Sequence, residues 1–185
     1  RLFAIGDRVR IGDVTGEVME TRVQVTRIRT PKNEEVILPN SMILQSAVTN
    51  YSTHARERGL ILHTTVGIGY EVPWRQVEGM LLTAAERTGG VLEDPPPFVR
   101  QRGLADFAVN YELNVYVASA DDMIGQYDKL HASIQDVFNE YGVQIMTPAY
   151  EADPKEPKVV PKDRWYEAPS LPSTSAGRGT PGTSA

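Results

Sequence analysis

Glu35-Val36-Ile37-Leu38-Pro39-Asn40-Ser41-Met42-Ile43-Leu44 is the stretch whose reading decides how this chain is divided. It opens as a strand, because Val36, Ile37 and Leu38 are apolar and two of them are β-branched. Pro39 ends that strand, since proline has no N–H to give to a ladder. Asn40 and Ser41 can bond nearby backbone groups and can cap a helical turn. Met42, Ile43 and Leu44 then form a short apolar run. The stretch reads as a rigid corner that delivers a buried segment to a core or a subunit contact. It contains no catalytic group.

Upstream of the corner, short strand signals follow one another. Asp7-Arg8-Val9-Arg10-Ile11 alternates polar and apolar, and Gly12-Asp13 is a turn dipeptide. Val14-Thr15-Gly16-Glu17-Val18-Met19 is a second strand in which Gly16 marks a bulge or a close backbone approach. Residues 22–30 are the clearest period-2 run, with Val23, Val25 and Ile28 expected inward after a phase shift. Pro31-Lys32-Asn33-Glu34 is a hairpin loop. Val48 adds an edge strand. Four or five short strands in about 50 residues predict a small barrel, and such a domain is marginal alone.

Downstream the pattern changes. Residues 51–59 are polar and charged and read as a linker. Residues 60–68 are a strand, and Pro73 suits the first position of a helix. Trp74, Val77, Leu81, Ala84 and Ala85 share one face of that helix, and Gly89-Gly90 stops it. Residues 98–102 are a strand. Residues 105–117 are a long strand in which Phe107, Val109, Tyr111, Leu113, Val115 and Val117 share a face. Asp121 or Asp122 caps a second helix, striped by Tyr127, Leu130, Ile134, Val137, Phe138 and Tyr141. Val143-Gln144-Ile145-Met146 is a last short strand. This β-α-β-β-α-β order predicts two helices on one face of an antiparallel sheet. The other face then needs a cover, and a neighbouring subunit is one.

The expected organisation is a small β-domain at 1–52, a linker at 53–59 and an α+β domain at 60–147. An extended segment follows at 148–167, with a lone strand near 156–162, and then a disordered Pro/Ser/Thr/Gly-rich tail at 168–185.

Charge supports the division. The chain has 185 residues, 19 basic and 24 acidic, for a net charge of −5. Up to Arg58 there are 9 basic and 7 acidic residues; from there to Thr147 there are 5 and 12; the remainder holds 5 and 5. The net therefore swings from +2 to −7 at the linker. An acidic chain argues against general nucleic-acid binding. Cysteine is absent, which excludes disulfides and thiol nucleophiles. No run reaches the roughly 18 apolar residues of a membrane span. The chain opens at Arg1 without a Met, so it is expected to be a piece of a longer protein.

The residues that carry chemistry elsewhere are scattered here. His54, His63 and His131 fall in no metal-ligand spacing. Gly67-Ile68-Gly69 begins like a dinucleotide loop but lacks the third glycine. The carboxylates Glu93, Asp94, Asp106, Asp121 and Asp122 stand beside no plausible base or nucleophile. No enzyme, cofactor, metal or small-molecule substrate is expected. Arg22, Arg27 and Arg29 line one β-run and could touch phosphates, but no aromatic residue alternates with them for stacking. Two binding readings stay open: an Sm-like RNA-binding module, and a ligand-sensing regulatory domain.

Several stretches resemble the cytoplasmic region of the small-conductance mechanosensitive channel (MscS-like) family. They are Phe3-Ala4-Ile5-Gly6-Asp7-Arg8-Val9, Gly12-Asp13-Val14-Thr15-Gly16-Glu17-Val18, Arg29-Thr30, Ile37-Leu38-Pro39-Asn40-Ser41 and Val48-Thr49-Asn50-Tyr51-Ser52. Ser41 stands where the family commonly has glycine. Beyond residue 60 the resemblance rests on layout.

The resemblance implies an Sm-like β-barrel followed by a ferredoxin-like α+β domain. It also implies a homo-heptamer whose second domain walls a vestibule on the cytoplasmic side of the inner membrane. The residue 156–162 strand would close that vestibule, and the pore and tension-sensing helices would precede Arg1. The implied role is release of ions and small solutes on hypo-osmotic shock, and the acidic second domain would enrich cations near the portals. Gly6, Gly12, Val14, Gly16, Pro39, Asn40, Ser41 and Asn50 are the implied structural and assembly positions, with no nucleic-acid partner.

Overall fold

Two antiparallel sheets of unequal size carry the fold. The computed structural model describes residues 2–146; the expected strand near 156–162 and the expected tail at 168–185 lie outside them.

The first sheet has five strands: β1 (Arg8–Ile11), β2 (Val14–Thr21), β3 (Val25–Arg29), β4 (Glu35–Pro39) and β5 (Val48–Asn50). Their order is β4-β3-β2-β1-β5, so the chain meanders through four strands and returns beside the first. A register shift between Val18 and Glu20 marks a bulge in β2. Between β4 and β5 runs the helical turn α1 (Asn40–Gln45), of which Ile43 is buried. Val9, Ile11, Val18, Ile28, Leu38 and Ile43 form the core.

A short helix α2 (Ala55–Arg58) follows, with Ala55 buried. The stretch read as a plain linker thus holds a helical turn. Gly59 leaves it at φ 78°, in the left-handed region that favours glycine.

The second sheet has three strands: β6 (Leu60–Ile68), β7 (Phe98–Leu104) and β8 (Val109–Val117), in the order β6-β8-β7. Helices α3 (Trp74–Arg87) and α4 (Met123–Glu140) pack on one face and on each other. Their inward residues meet alternate residues of β8 in a core that includes Leu62, Leu81, Leu113, Leu130 and Phe138. The opposite face carries His63, Thr65, Arg100, Glu112, Asn114 and Tyr116, as the period-2 register requires.

The structure corrects several expectations. Phe107 is 80% exposed, because the predicted long strand breaks at residues 105–108, where Ala105 N–H donates to the Ala108 carbonyl at 2.8 Å. Val23 is 96% exposed: it sits in the β2–β3 turn, and the inward positions of β3 are Thr26 and Ile28. Trp74 and Tyr141 lie at the ends of their helices and remain largely exposed. The last strand reduces to one bridge, Ile68 with Ile145. No helix among the described residues is long and apolar enough to cross a membrane.

Candidate functional site

Pro39 closes β4 opposite Val25, in extended conformation at φ −59° and ψ 134°. Asn40 then opens α1, and the reading of Asn40 as a cap fails. The helical turn has no side-chain cap bond. The Asn40 side chain turns back instead onto the β2–β3 turn. Its Nδ2 donates to the carbonyls of Arg22 at 2.7 Å and Val23 at 3.0 Å. Its Oδ1 accepts from Thr26 Oγ1 at 2.8 Å. Its backbone N–H donates to the Gln24 carbonyl at 2.8 Å. One amide thus uses both donors and its acceptor on a turn that lies about 17 residues earlier. Thr26 is 1% exposed, so its hydroxyl needs this partner. Ser41 is exposed and takes no part in the clasp.

A second polar cluster forms where the chain enters the sheet. Gly6 has φ 87°, and its N–H reaches the Val18 carbonyl at 2.8 Å. Asp7 is buried, and its Oδ2 accepts from Ala4 N–H and from Asn50 Nδ2, both at 2.8 Å. Asn50 Oδ1 in turn accepts from the N–H groups of Ser52 at 2.9 Å and Thr53 at 3.1 Å. Asn50 therefore ties the entering chain to the leaving chain. Asp7 and Thr26 were missed by sequence reasoning. Asp7 lies inside the quoted Gly6-Asp7 run, but nothing local announces a partner 43 positions away.

The remaining expected positions shape β1 and β2. Gly12 turns at φ 56°. Val14 packs at the edge of the core. A Cβ on Gly16 would collide with the Arg29 carbonyl oxygen and the Ile28 side chain, so a close approach of β2 and β3 requires glycine. Hydrogen bonds thus place Asn40 in one polar cluster and Gly6 with Asn50 in another, while Gly12, Val14 and Gly16 act through backbone shape and packing and Ser41 joins neither cluster.

Around the Asn40 clasp lies apolar surface. An open groove of about 400 Å³ is lined by Leu2, Phe3, Val23, Asn40, Ile43 and Leu44 among others. Val23 at 96% and Leu44 at 77% exposure are the extremes. Isolated exposed apolar residues are ordinary, and these gather around one groove.

The basic strand face is already neutralised. Arg22 and Arg27 pair with Glu20, Arg27 also with Glu35, and Arg29 with Glu17 at 2.7 Å. These guanidiniums are engaged by carboxylates of their own sheet, which weakens the phosphate-binding reading. The histidines are dispersed as well. His131 meets Thr64 Oγ1 at 2.9 Å and ties α4 to β6, and His63 Nδ1 lies 3.9 Å from Glu112. No group of three metal-ligating side chains occurs among the described residues. Burial pushes the Tyr111 phenol up. The Asp136 carboxyl is also raised, by desolvation and then by Glu140, against the opposing charge of Arg87.

Comparison with known proteins accounts for both halves. The family model described as "Mechanosensitive ion channel, beta-domain" matches residues 1–53. The one described as "Mechanosensitive ion channel MscS, C-terminal" matches residues 62–145. The chain belongs to the MscS-like mechanosensitive channel family. Among its relatives, the small-conductance mechanosensitive channel MscMJ of Methanocaldococcus jannaschii is 27% identical over 80% of this chain and 42% of its own length. The miniconductance channel MscM of Escherichia coli is 27% identical over 80% of this chain and 13% of its own length. MscK of the same organism is 30% identical over 66% of this chain and 11% of its own length. The MscS-like chain thus spans less than half of these relatives.

Solved structures agree on the fold. The closed state of Helicobacter pylori MscS superposes with TM-score 0.67 at 17% identity, covering 83% of this chain and 60% of that one. MSL1 of Arabidopsis thaliana superposes with TM-score 0.53 at 15% identity, covering 78% and 53%.

Proposed function

We propose that this chain is the cytoplasmic vestibule portion of a mechanosensitive ion channel that releases ions and small solutes on hypo-osmotic shock. The observation that carries the proposal is the succession of two family regions, residues 1–53 and 62–145, on two consecutive sheets. In this reading the five-stranded sheet is an Sm-like barrel over 1–52. Residues 53–59 form the joint. Residues 60–147 are a ferredoxin-like domain, with Ile145 standing for the last strand beside β6. Segments 148–167 and 168–185 complete the chain, the first contributing a closing strand near 156–162. The pore and tension-sensing helices belong to the parent protein, in the inner membrane.

Self-assembly into a homo-heptamer explains the exposed apolar surface. Leu2, Val23, Met42 and Leu44 are more than half exposed, on a sheet whose buried core is small. A ring gives such a surface a repeated, head-to-tail cover from the next subunit. Gly12, Val14 and Gly16 hold the β1–β2 pair in shape for it, Pro39, Asn40 and Ser41 make its corner, and Gly6 and Asn50 anchor the entering chain. The acidic surplus of residues 59–147 sets the ion atmosphere inside the vestibule.

The parent protein, expressed in bacteria stripped of their own mechanosensitive channels, tests the reading. Rescue of viability on osmotic downshock and pressure-activated currents in patches are expected, with seven copies by native mass spectrometry. A protein that inserts in the membrane yet gives neither rescue nor current overturns it. Leu44→Glu sharpens the assembly part. It is expected to leave the melting of the unassembled chain within about 0.5 kcal/mol while depleting the assembled species.

A further inference from the structure

Asp7 and Arg8 are sequence neighbours that grip different parts of the molecule. The Asp7 carboxylate holds Ala4 of the entering segment and Asn50. The Arg8 backbone is stapled to the chain leaving the sheet: its N–H donates to Ser52 Oγ at 2.9 Å, and its carbonyl accepts from Tyr51 N–H at 2.9 Å. The Arg8 side chain, whose Nε is buried without a partner, reaches beyond the five-stranded sheet. Its Nη2 donates to the Asp121 carbonyl at 2.9 Å, 113 positions along the chain, in the turn that leads to α4.

That carbonyl is firmly aimed. The Asp121 N–H donates to Ser119 Oγ at 3.1 Å, and Asp122 caps α4 by accepting from Gly125 N–H at 3.2 Å. The acceptor therefore sits at the root of a helix whose Leu130, Ile134, Val137 and Phe138 build the second core. On the other side, a bond from a charged donor such as a guanidinium is among the stronger kinds.

We propose that Arg8 is a latch between the two sheets. It fixes the three-stranded region against the five-stranded sheet through the Asp121 carbonyl. With Asp7, it makes the entering segment, the joint at 51–59 and the root of α4 move as one unit. A displacement of residues 2–5 then reaches α4 directly, instead of being absorbed in the joint. This inference stands on the geometry alone and holds whether or not the parent protein is a channel.

Distance measurement between spin labels tests it cleanly, because the 185-residue chain contains no cysteine. Ile37→Cys on exposed β4 and Lys129→Cys on exposed α4 provide the two label sites. Labelled chain is diluted with unlabelled chain so that only distances within one molecule are read. The unaltered latch is expected to give a narrow distribution. Arg8→Met, which keeps the apolar stem and removes the donors, is expected to broaden it at least twofold. Arg8→Lys, which keeps one charged donor, is expected to narrow it again by half or more. Arg10→Ala, an exposed residue of the same strand, is the control and is expected to change nothing. A folded Arg8→Met protein with undiminished order overturns the latch. So does equal broadening by Arg10→Ala. If Arg8→Ala unfolds the first sheet, Arg8→Met still decides.

Discussion

The five-stranded sheet and the three-stranded region solve the same problem with different means. The three-stranded region has seventeen residues in its buried hydrophobic cluster, drawn from two long helices and a sheet. The five-stranded sheet has six. Each fully buried large aliphatic or aromatic side chain contributes roughly 1.5–3 kcal/mol, so the difference is at least as large as the margin by which a small domain is stable. The five-stranded sheet instead fastens itself with buried polar side chains: Asp7, Thr26 and Ser52 are all nearly inaccessible, and each has a named partner. One region is held by area and the other by a few directional bonds and apolar surface left for a partner. The first tolerates small errors in position, while the second depends on particular atoms.

Truncating the best-buried side chain of the larger core gives the largest expected effect. Phe138 is 1% exposed and is the largest of the fully buried side chains. Phe138→Ala is expected to cost about 3–5 kcal/mol through lost transfer energy and a cavity. Urea unfolding followed by two reporters, one on each sheet, checks it. The loss belongs to the three-stranded reporter. Equal movement of both would mean that the two regions unfold as one body, and the contrast between them would dissolve.

The polar fastening breaks at Asn40. Asn40→Ala leaves the Arg22 and Val23 carbonyls and the buried Thr26 hydroxyl short of a partner, at an expected cost of about 2 kcal/mol. Asn40→Asp is the sharper probe, because it keeps the shape and removes both donors while setting a charge against two carbonyl oxygens. It is expected to cost at least as much at neutral pH. If Asn40→Asp unfolds at the same urea concentration as the native chain, the clasp contributes nothing. The five-stranded sheet would then depend on its six-residue core after all.

The two regions also differed in how readily the sequence disclosed them. The three-stranded region was legible because period 2 and period 3.6 act locally. Val109, Tyr111, Leu113, Val115 and Val117 face the core as alternation demands, and Val77, Leu81, Ala84 and Ala85 as helical spacing demands. The failures there lie at element ends, at Phe107, Trp74 and Tyr141, where periodicity has no neighbour to confirm it. In the five-stranded sheet the strands were legible but their fastenings were not. Asn40 following Pro39 looks like a cap, since Asn is a favoured capping residue. Its real partners are brought near by a hairpin, and no local pattern encodes them. Gly16 was the exception. A glycine inside a strand signals close approach, and the Arg29 backbone is what approaches.

Gly16 and Gly12 separate steric crowding from backbone strain within the five-stranded sheet. Gly16→Ala must push Ile28 and the Arg29 backbone apart, and an expected 1–3 kcal/mol, on the order of other overpacking changes, follows. Gly12 has open space around it but a positive φ of 56°, so Gly12→Ala is expected to cost only about 1 kcal/mol. Paired thermal melts check the order. A reversed order would show that β2 and β3 can part cheaply, which would remove the reason for glycine at 16.

The smallest expected effect belongs to the larger core and runs in the stabilising direction. Asp136 stands in the last part of α4, with Glu140 one turn on. Desolvation raises its carboxyl, Glu140 raises it further, and Arg87, which pairs with Glu140 at 2.8 Å, opposes both. A raised carboxyl means that the folded state holds this proton more tightly than the unfolded chain does. Stability therefore falls as pH climbs from the unfolded-chain titration through the folded-state one, and the penalty is fully present above both. Asp136→Asn removes it. Because Asp136 is exposed and water screens the charge, the gain is expected to be a few tenths of a kcal/mol at pH 7. It is expected to vanish below the ordinary carboxylate range, where both proteins are neutral at this position. Urea midpoints read at neutral and at acid pH check it. A variant less stable than the native chain at neutral pH would mean that attraction to Arg87 outweighs the other two, and that the end of α4 is held electrostatically as well as by its apolar stripe.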